Sequence, residues 1–251
     1  MVHHGLTAIT SLFLLISLCS SSAEAYALRK APAGQVLVWS QRAVTVELDG
    51  RQLPGAPGAA DAVRAAFATW SSAGAPVAVT LQESKTIADG SQDGKNTIRF
   101  EHKRWDYGHE VIGLTLATYY AQSGLVFETD IVFDAVNRQW STSANTPSKH
   151  FDVQNIAAHE AGHFFGLGHS QHTDATMFAE SLPGERDKRT LSPDDRAGLA
   201  AIVAEMDRRI GAKAQLPPPK ADQVVEREVY SPLPARTQIG CNVSGAETHA
   251  P

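Results

Sequence analysis

The chain has 251 residues, is 43% hydrophobic and 20% charged, and carries a formal net charge of −5. That length holds one domain with appendages rather than two full domains, and the apolar fraction suffices for a core, which excludes wholesale disorder. The 22 Lys and Arg against 27 Asp and Glu, with no long basic block, exclude a nucleic-acid-binding surface as its main business.

In chain order, the apolar run Leu6–Leu18 reads as the core of a secretory signal, too short to span a bilayer. Ala23-Glu24-Ala25 supplies the small-x-small cleavage pattern, so the expected organisation is a signal peptide over 1–25, a domain over 26–210 and a tail over 211–251. An uncleaved anchor is the alternative. A lipoprotein reading would use Cys19, but Leu18 stands where a small residue is required. The mature chain then has a net charge of −4, one cysteine and no intrachain disulfide; we expect a secreted or extracytoplasmic monomer without a membrane-spanning segment.

Residues 36–48 (VLVWSQRAVTVEL) predict a first strand. Val63, Ala66, Phe67 and Trp70 form one apolar stripe and predict a helix over 61–70. Strands follow at 77–81, 96–100, 114–120 and 125–133, the last two joined by Gln122-Ser123-Gly124. Asp152 is the N-cap of a helix that Gly166 stops, and Ser192-Pro193 opens a last helix with Leu199, Ile202, Val203 and Met206 on one face. After Ile210, Gly211 and the prolines 217–219, 232 and 234 mark an extended Pro-rich tail. Strands flanked by helices make the class α+β.

Ten histidines are an anomaly, and four (His159, His163, His169, His172) fall between 159 and 172. On a helix, His159 and His163 project from one face and can share a metal ion, with Glu160 at the edge of that face. Gly166 permits the turn that swings His169 round as a third ligand. Three neutral imidazoles with one open position describe a catalytic zinc site, since a structural site would fill all four. Core histidines would not need this spacing, and a metal held for stability alone would leave Glu160 without a role.

The segment from His159 to His169 resembles the metzincin zinc peptidases, whose pattern adds a downstream methionine turn, here Met177. Ser170 after the third histidine, and Met177 eight residues beyond His169, resemble the matrixin branch, the relatives of the matrix metalloproteinases. Residues 66–80, 96–100 (NTIRF), 152–163 and 191–202 are similar to matrixin elements, so the likeness covers about 36–205. The resemblance implies a twisted, mostly parallel five-stranded sheet with three helices. It implies an endopeptidase acting on proteins or peptides, with zinc on His159, His163 and His169, Glu160 as general base and Met177 as a floor beneath the ligands. Substrate would add as a strand along 114–119, with Leu116 and Ala117 as backbone positions.

The departures are equally specific. Thr118 and Val132 stand where animal matrixins hold a second, structural zinc, so that ion is expected to be absent. Asp134 and Asn137 match calcium-ligand positions, but the Gly-rich loop that completes such a site is missing, which leaves calcium open. No cysteine-bearing prodomain fits between Tyr26 and Val36, and Phe178-Ala179 replaces the usual Tyr-Pro, so a minimal bacterial form is the nearest likeness. His172 and the four tryptophans take ordinary surface and packing roles, and Asp194 and Asp195 complement a helix dipole. Cys241 has three readings: a free thiol, a tail-borne zinc ligand holding the enzyme latent, or part of a surface-sorting tail. Asn242 opens a glycosylation sequon. A secreted binding protein that keeps a zinc fold without activity is the alternative function.

Overall fold

A computed structural model describes residues 25–87, 92–211 and 225–230. The predicted signal cleavage motif up to Glu24, and Cys19, Cys241 and Asn242, lie outside these residues. Along the chain run β1 (Val38–Trp39), β2 (Ala43–Asp49), α1 (Ala59–Ser72), β3 (Ala78–Ser84), β4 (Asn96–Glu101), β5 (Gly113–Tyr120) and β6 (Leu125–Asp134). Then come β7 (Trp140–Ser141), β8 (Phe151–Asp152), α2 (Val153–Phe165), a 3-10 turn at Asp187–Arg189, α3 (Pro193–Ile210) and β9 (Val225–Tyr230).

The main sheet has the order β3-β2-β4-β6-β5-β9, with β1 on β6. Pairings β2–β3, β2–β4 and β4–β6 are parallel, and β5 runs antiparallel to β6. The first five strands of that order are the expected mostly parallel sheet, and α1, α2 and α3 are its three helices. Two features of the main sheet differ from the sequence reading. The strand expected over 36–48 is split, because β1 pairs with Leu125–Val126 while β2 has moved to lie between β3 and β4. Hydrophobic alternation runs through both halves and hides the crossing. The second difference is β9, a strand in the tail where no apolar period signals one.

Helix α2 is buried along nearly its whole length. Its N-terminus is closed by the Asp152 carboxylate, which accepts the Asn155 N–H at 2.9 Å. Its end is set by Gly166, whose φ of 111° is open to glycine and strained for other residues. Helix α1 packs on α2 through Val63, Ala66, Phe67 and Trp70, all buried. The Trp70 indole N–H donates to the Ala158 carbonyl, and that of Trp39 donates to the Phe164 carbonyl, each at 2.8 Å. These bonds let two large aromatics enter the core without an unpaired donor. Trp140 is likewise buried and donates to the Asp134 carbonyl, so three tryptophans are packing residues. Trp105 packs with Tyr107 over a smaller apolar cluster of Val111, Leu114, Leu116 and Val132.

Candidate metal centre

Helix α2 carries His159 and His163 one turn apart, and the Gly166 stop brings His169 back to them. The Nε2 atoms of His159 and His163 lie 3.1 Å apart, and those of His159 and His169 lie 3.3 Å apart. Nδ1 of His159 is 2.7 Å from the Thr176 carbonyl and Nδ1 of His163 is 2.8 Å from the Leu167 carbonyl. A carbonyl only accepts, so each Nδ1 carries the proton and each Nε2 offers a lone pair. Lone pairs converging at this distance repel unless a cation lies between them. Tetrahedral ligands about 2.05 Å from zinc stand roughly 3.3 Å apart, which fits these separations.

Burial holds the imidazoles in the neutral, ligating state. His159 is held well below its ordinary value of 6.5, chiefly by desolvation and then by His163. His163 is lowered in the same way, with His169 as the second cause. His169 is pushed down to about 4 by desolvation and by the Lys188 cation. Among the described residues, these three converge as a metal-capable group, and His172 is exposed and stands outside it.

Glu160 is fully buried, and desolvation raises its carboxyl to about 8, against the opposing effect of a hydrogen bond from Thr115. That bond runs from Thr115 Oγ1 to Glu160 Oε2 at 2.6 Å, while Oε1 has no hydrogen-bond partner. A Cβ at Gly113 would lie 3.1 Å from Phe133, 3.3 Å from Oε1 and 3.4 Å from Ile156, so β5 approaches Glu160 closely here because the residue is glycine. Thr115 escaped the sequence reading. Its signal is a polar residue on the face of β5 that alternation turns toward α2, shared with buried Ala117 and Tyr119.

Met177 lies directly under α2, where a Cβ on Gly162 would meet its sulfur at 2.1 Å. The turn that carries it is pinned by Asp195, the third helical residue of α3. Asp195 Oδ1 accepts the Met177 N–H at 3.0 Å, and Oδ2 accepts those of Thr176 and Ser192, each at 2.8 Å. Asp195 therefore closes a capping box with Ser192 and also fixes the residue whose carbonyl orients His159. The dipole explanation was incomplete for Asp194 as well. Its carboxylate accepts the N–H groups of Ala25 and Tyr26 at 2.9 and 3.0 Å, and the Ser170 hydroxyl at 2.6 Å. The adjoining N-terminal segment runs beside the Gly166 turn, with Arg29 N–H on the Gly166 carbonyl and the Arg29 guanidinium on the His163 carbonyl.

The remaining candidate positions are equally defined. Thr118 donates to Glu128 Oε1 at 3.1 Å, and Val132 is enclosed in the small apolar cluster. Asp134 accepts the N–H groups of Val136 and Asn137 and the Asn137 side chain, with Arg138 at 3.6 Å. Leu116 and Ala117 lie in β5, both buried.

The fold and the site together define an α+β protein with a three-histidine centre and a glutamate beside it. The Matrixin family model matches residues 38–204, more than half of the chain, and the chain belongs to the matrixin family of zinc-dependent peptidases. It is 35% identical over 85 residues to matrix metalloproteinase-19 of Mus musculus, covering 34% of this chain and 14% of the relative. It is 32% identical over 101 residues to matrix metalloproteinase-25 of Homo sapiens, covering 39% and 18%. Metalloendoproteinase 4-MMP of Arabidopsis thaliana is 29% identical over 144 residues, covering 55% and 38%. The chain thus spans well under two thirds of the length of these relatives. Among the described residues, no helix is long and apolar enough to cross a membrane.

Proposed function

We propose that the protein is an exported zinc endopeptidase in which His159, His163 and His169 hold the metal and Glu160 moves the proton. The observation that carries this reading is the convergence of three histidine ring nitrogens on α2 and the turn after it, with the fully buried Glu160 next to His159 in the chain and one of its oxygens without a hydrogen-bond partner. Bound zinc would supply a Lewis acid that polarises the scissile carbonyl and acidifies water.

The protein's own groups do the rest. The Thr176 and Leu167 carbonyls hold His159 and His163 in the tautomer that ligates. Thr115 fixes Glu160 Oε2, which leaves Oε1 to take the proton of the attacking water and pass it to the leaving amine nitrogen. Water and one peptide bond thus become a carboxylic acid and an amine. Burial alone keeps the Glu160 carboxyl protonated near neutral pH, and a cation held by the three histidines would favour the carboxylate, the form that acts as base. The backbone of Leu116 and Ala117 on β5 is the edge along which an extended substrate would pair.

Zinc analysis of the purified chain with cleavage of an unfolded protein tests this. About one zinc per chain, and cleavage that stops with a chelator and returns with zinc, are expected. Zinc without cleavage of any peptide in a broad library would favour a binding protein instead.

A further inference from the structure

Strand β9 pairs along the edge of β5 that β6 leaves free. The pairing is antiparallel over six residues, from Tyr120 against Val225 to Thr115 against Tyr230, and it places Ala117 against Glu228 and Leu116 against Val229. These are the backbone positions assigned above to substrate. One end of β9 reaches the glutamate of the site, because Tyr230 pairs with Thr115, the residue bonded to Glu160. An edge strand bonds one extended chain at a time, since each of its outward N–H and C=O groups is used once.

We infer that residues 225–230 are a tethered occupant of the substrate edge, a segment of this chain lying where an extended peptide would add its strand and having to leave before one can. This rests on the peptidase reading above. Thirteen residues, 212–224, join β9 to Gly211, the residue that follows α3. They reach at most about 45 Å, so the segment is held near its edge at an effective concentration on the order of millimolar. Even a weak pairing sequence competes well at that concentration. The device needs neither a prodomain nor Cys241.

The test uses the zinc-loaded full chain carrying Glu160→Gln, so that nothing is cleaved, and a fluorescein-labelled peptide of residues 222–233 as the probe. Glu228→Pro with Val229→Pro removes two consecutive N–H groups, one of which faces β5 whichever way the ladder alternates. The proline chain is expected to bind the probe at least about tenfold more tightly than the chain with the natural tail. Hydrogen exchange is expected to quicken in 115–120 and stay unchanged in 125–134. With Glu160 restored, the proline chain is expected to cleave a reporter peptide with a lower KM and little change in kcat.

Equal probe binding by both tails, or binding by neither, would overturn the inference. So would β5 protection that depends on protein concentration, which would mean pairing between copies. Tighter probe binding by the proline chain, with no cleavage by either active form, would support the pairing and reject the peptidase reading.

Discussion

Gly162 sits between the two helical histidines, and its missing side chain is what lets the methionine floor reach α2. A Cβ there would lie 2.1 Å from Met177 Sδ and 2.8 Å from Trp70 Cζ2. Gly162→Ala should therefore destabilise the protein by about 1–3 kcal/mol, because neither neighbour can retreat in a close-packed core. Met177→Ala leaves a cavity and should cost about 2–5 kcal/mol alone. The two changes share one space, so the double variant should cost less than the two singles together by at least about 1 kcal/mol in denaturant unfolding. Strict additivity would show that Met177 does not press on Gly162. At this scale the sequence was informative about which histidines come together and poor about what holds them in place. Spacing alone brings His159, His163 and Glu160 together, whereas Thr115 and Asp195 act across the fold, from 45 and 36 residues away in sequence from Glu160 and His159.

Helices α2 and α3 were the most legible elements because their boundaries have local chemical causes. Asp152 and Gly166 bracket α2, and Ser192, Pro193 and Asp195 open α3. The break between β1 and β2 was not legible, since both halves alternate and only pairing with distant strands separates them. The tail strand β9 was hidden for a related reason: its partner edge, not its own composition, makes it a strand. The Asp195 carboxylate ties the start of α3 to the Met177 turn and through Thr176 to His159. Asp195→Ala should weaken zinc binding about 10–100-fold while leaving all three ligands in the chain. Titration against a competing chelator reads that change, and circular dichroism checks that α3 persists. Unaltered zinc affinity in a folded variant would remove Asp195 from this chain of contacts.

For the whole molecule, the buried centre sets how stability varies with pH when metal is removed. The three histidines have pKa values below 6.5 in the folded protein, so below that pH the unfolded chain binds more protons at these groups. Stability is lost as pH falls through this range. Glu160 has the opposite sign: at about 8 against an ordinary 4.5, the folded protein holds a proton that the unfolded chain has released. Between 4.5 and 6.5 the three histidines outweigh the single glutamate, and stability rises with pH. From 6.5 to about 8 Glu160 acts without opposition from the histidines, and stability falls by on the order of 2 kcal/mol. Chelator-treated protein should thus show maximal stability near pH 6.5 in urea unfolding, and the decline above it should vanish in Glu160→Gln. A decline that persists in that variant would assign it to another group.

In the proposed mechanism Glu160 moves the proton at a metal held by the three histidines. The cleavage rate of the zinc-loaded Glu160→Gln chain, measured beside its zinc content, decides whether it does. Gln keeps the size of the side chain and cannot carry the proton. The expected result is one zinc per chain, as in the natural protein, with kcat lowered about 10²–10⁴-fold. Cleavage at the natural rate with zinc retained would contradict the account.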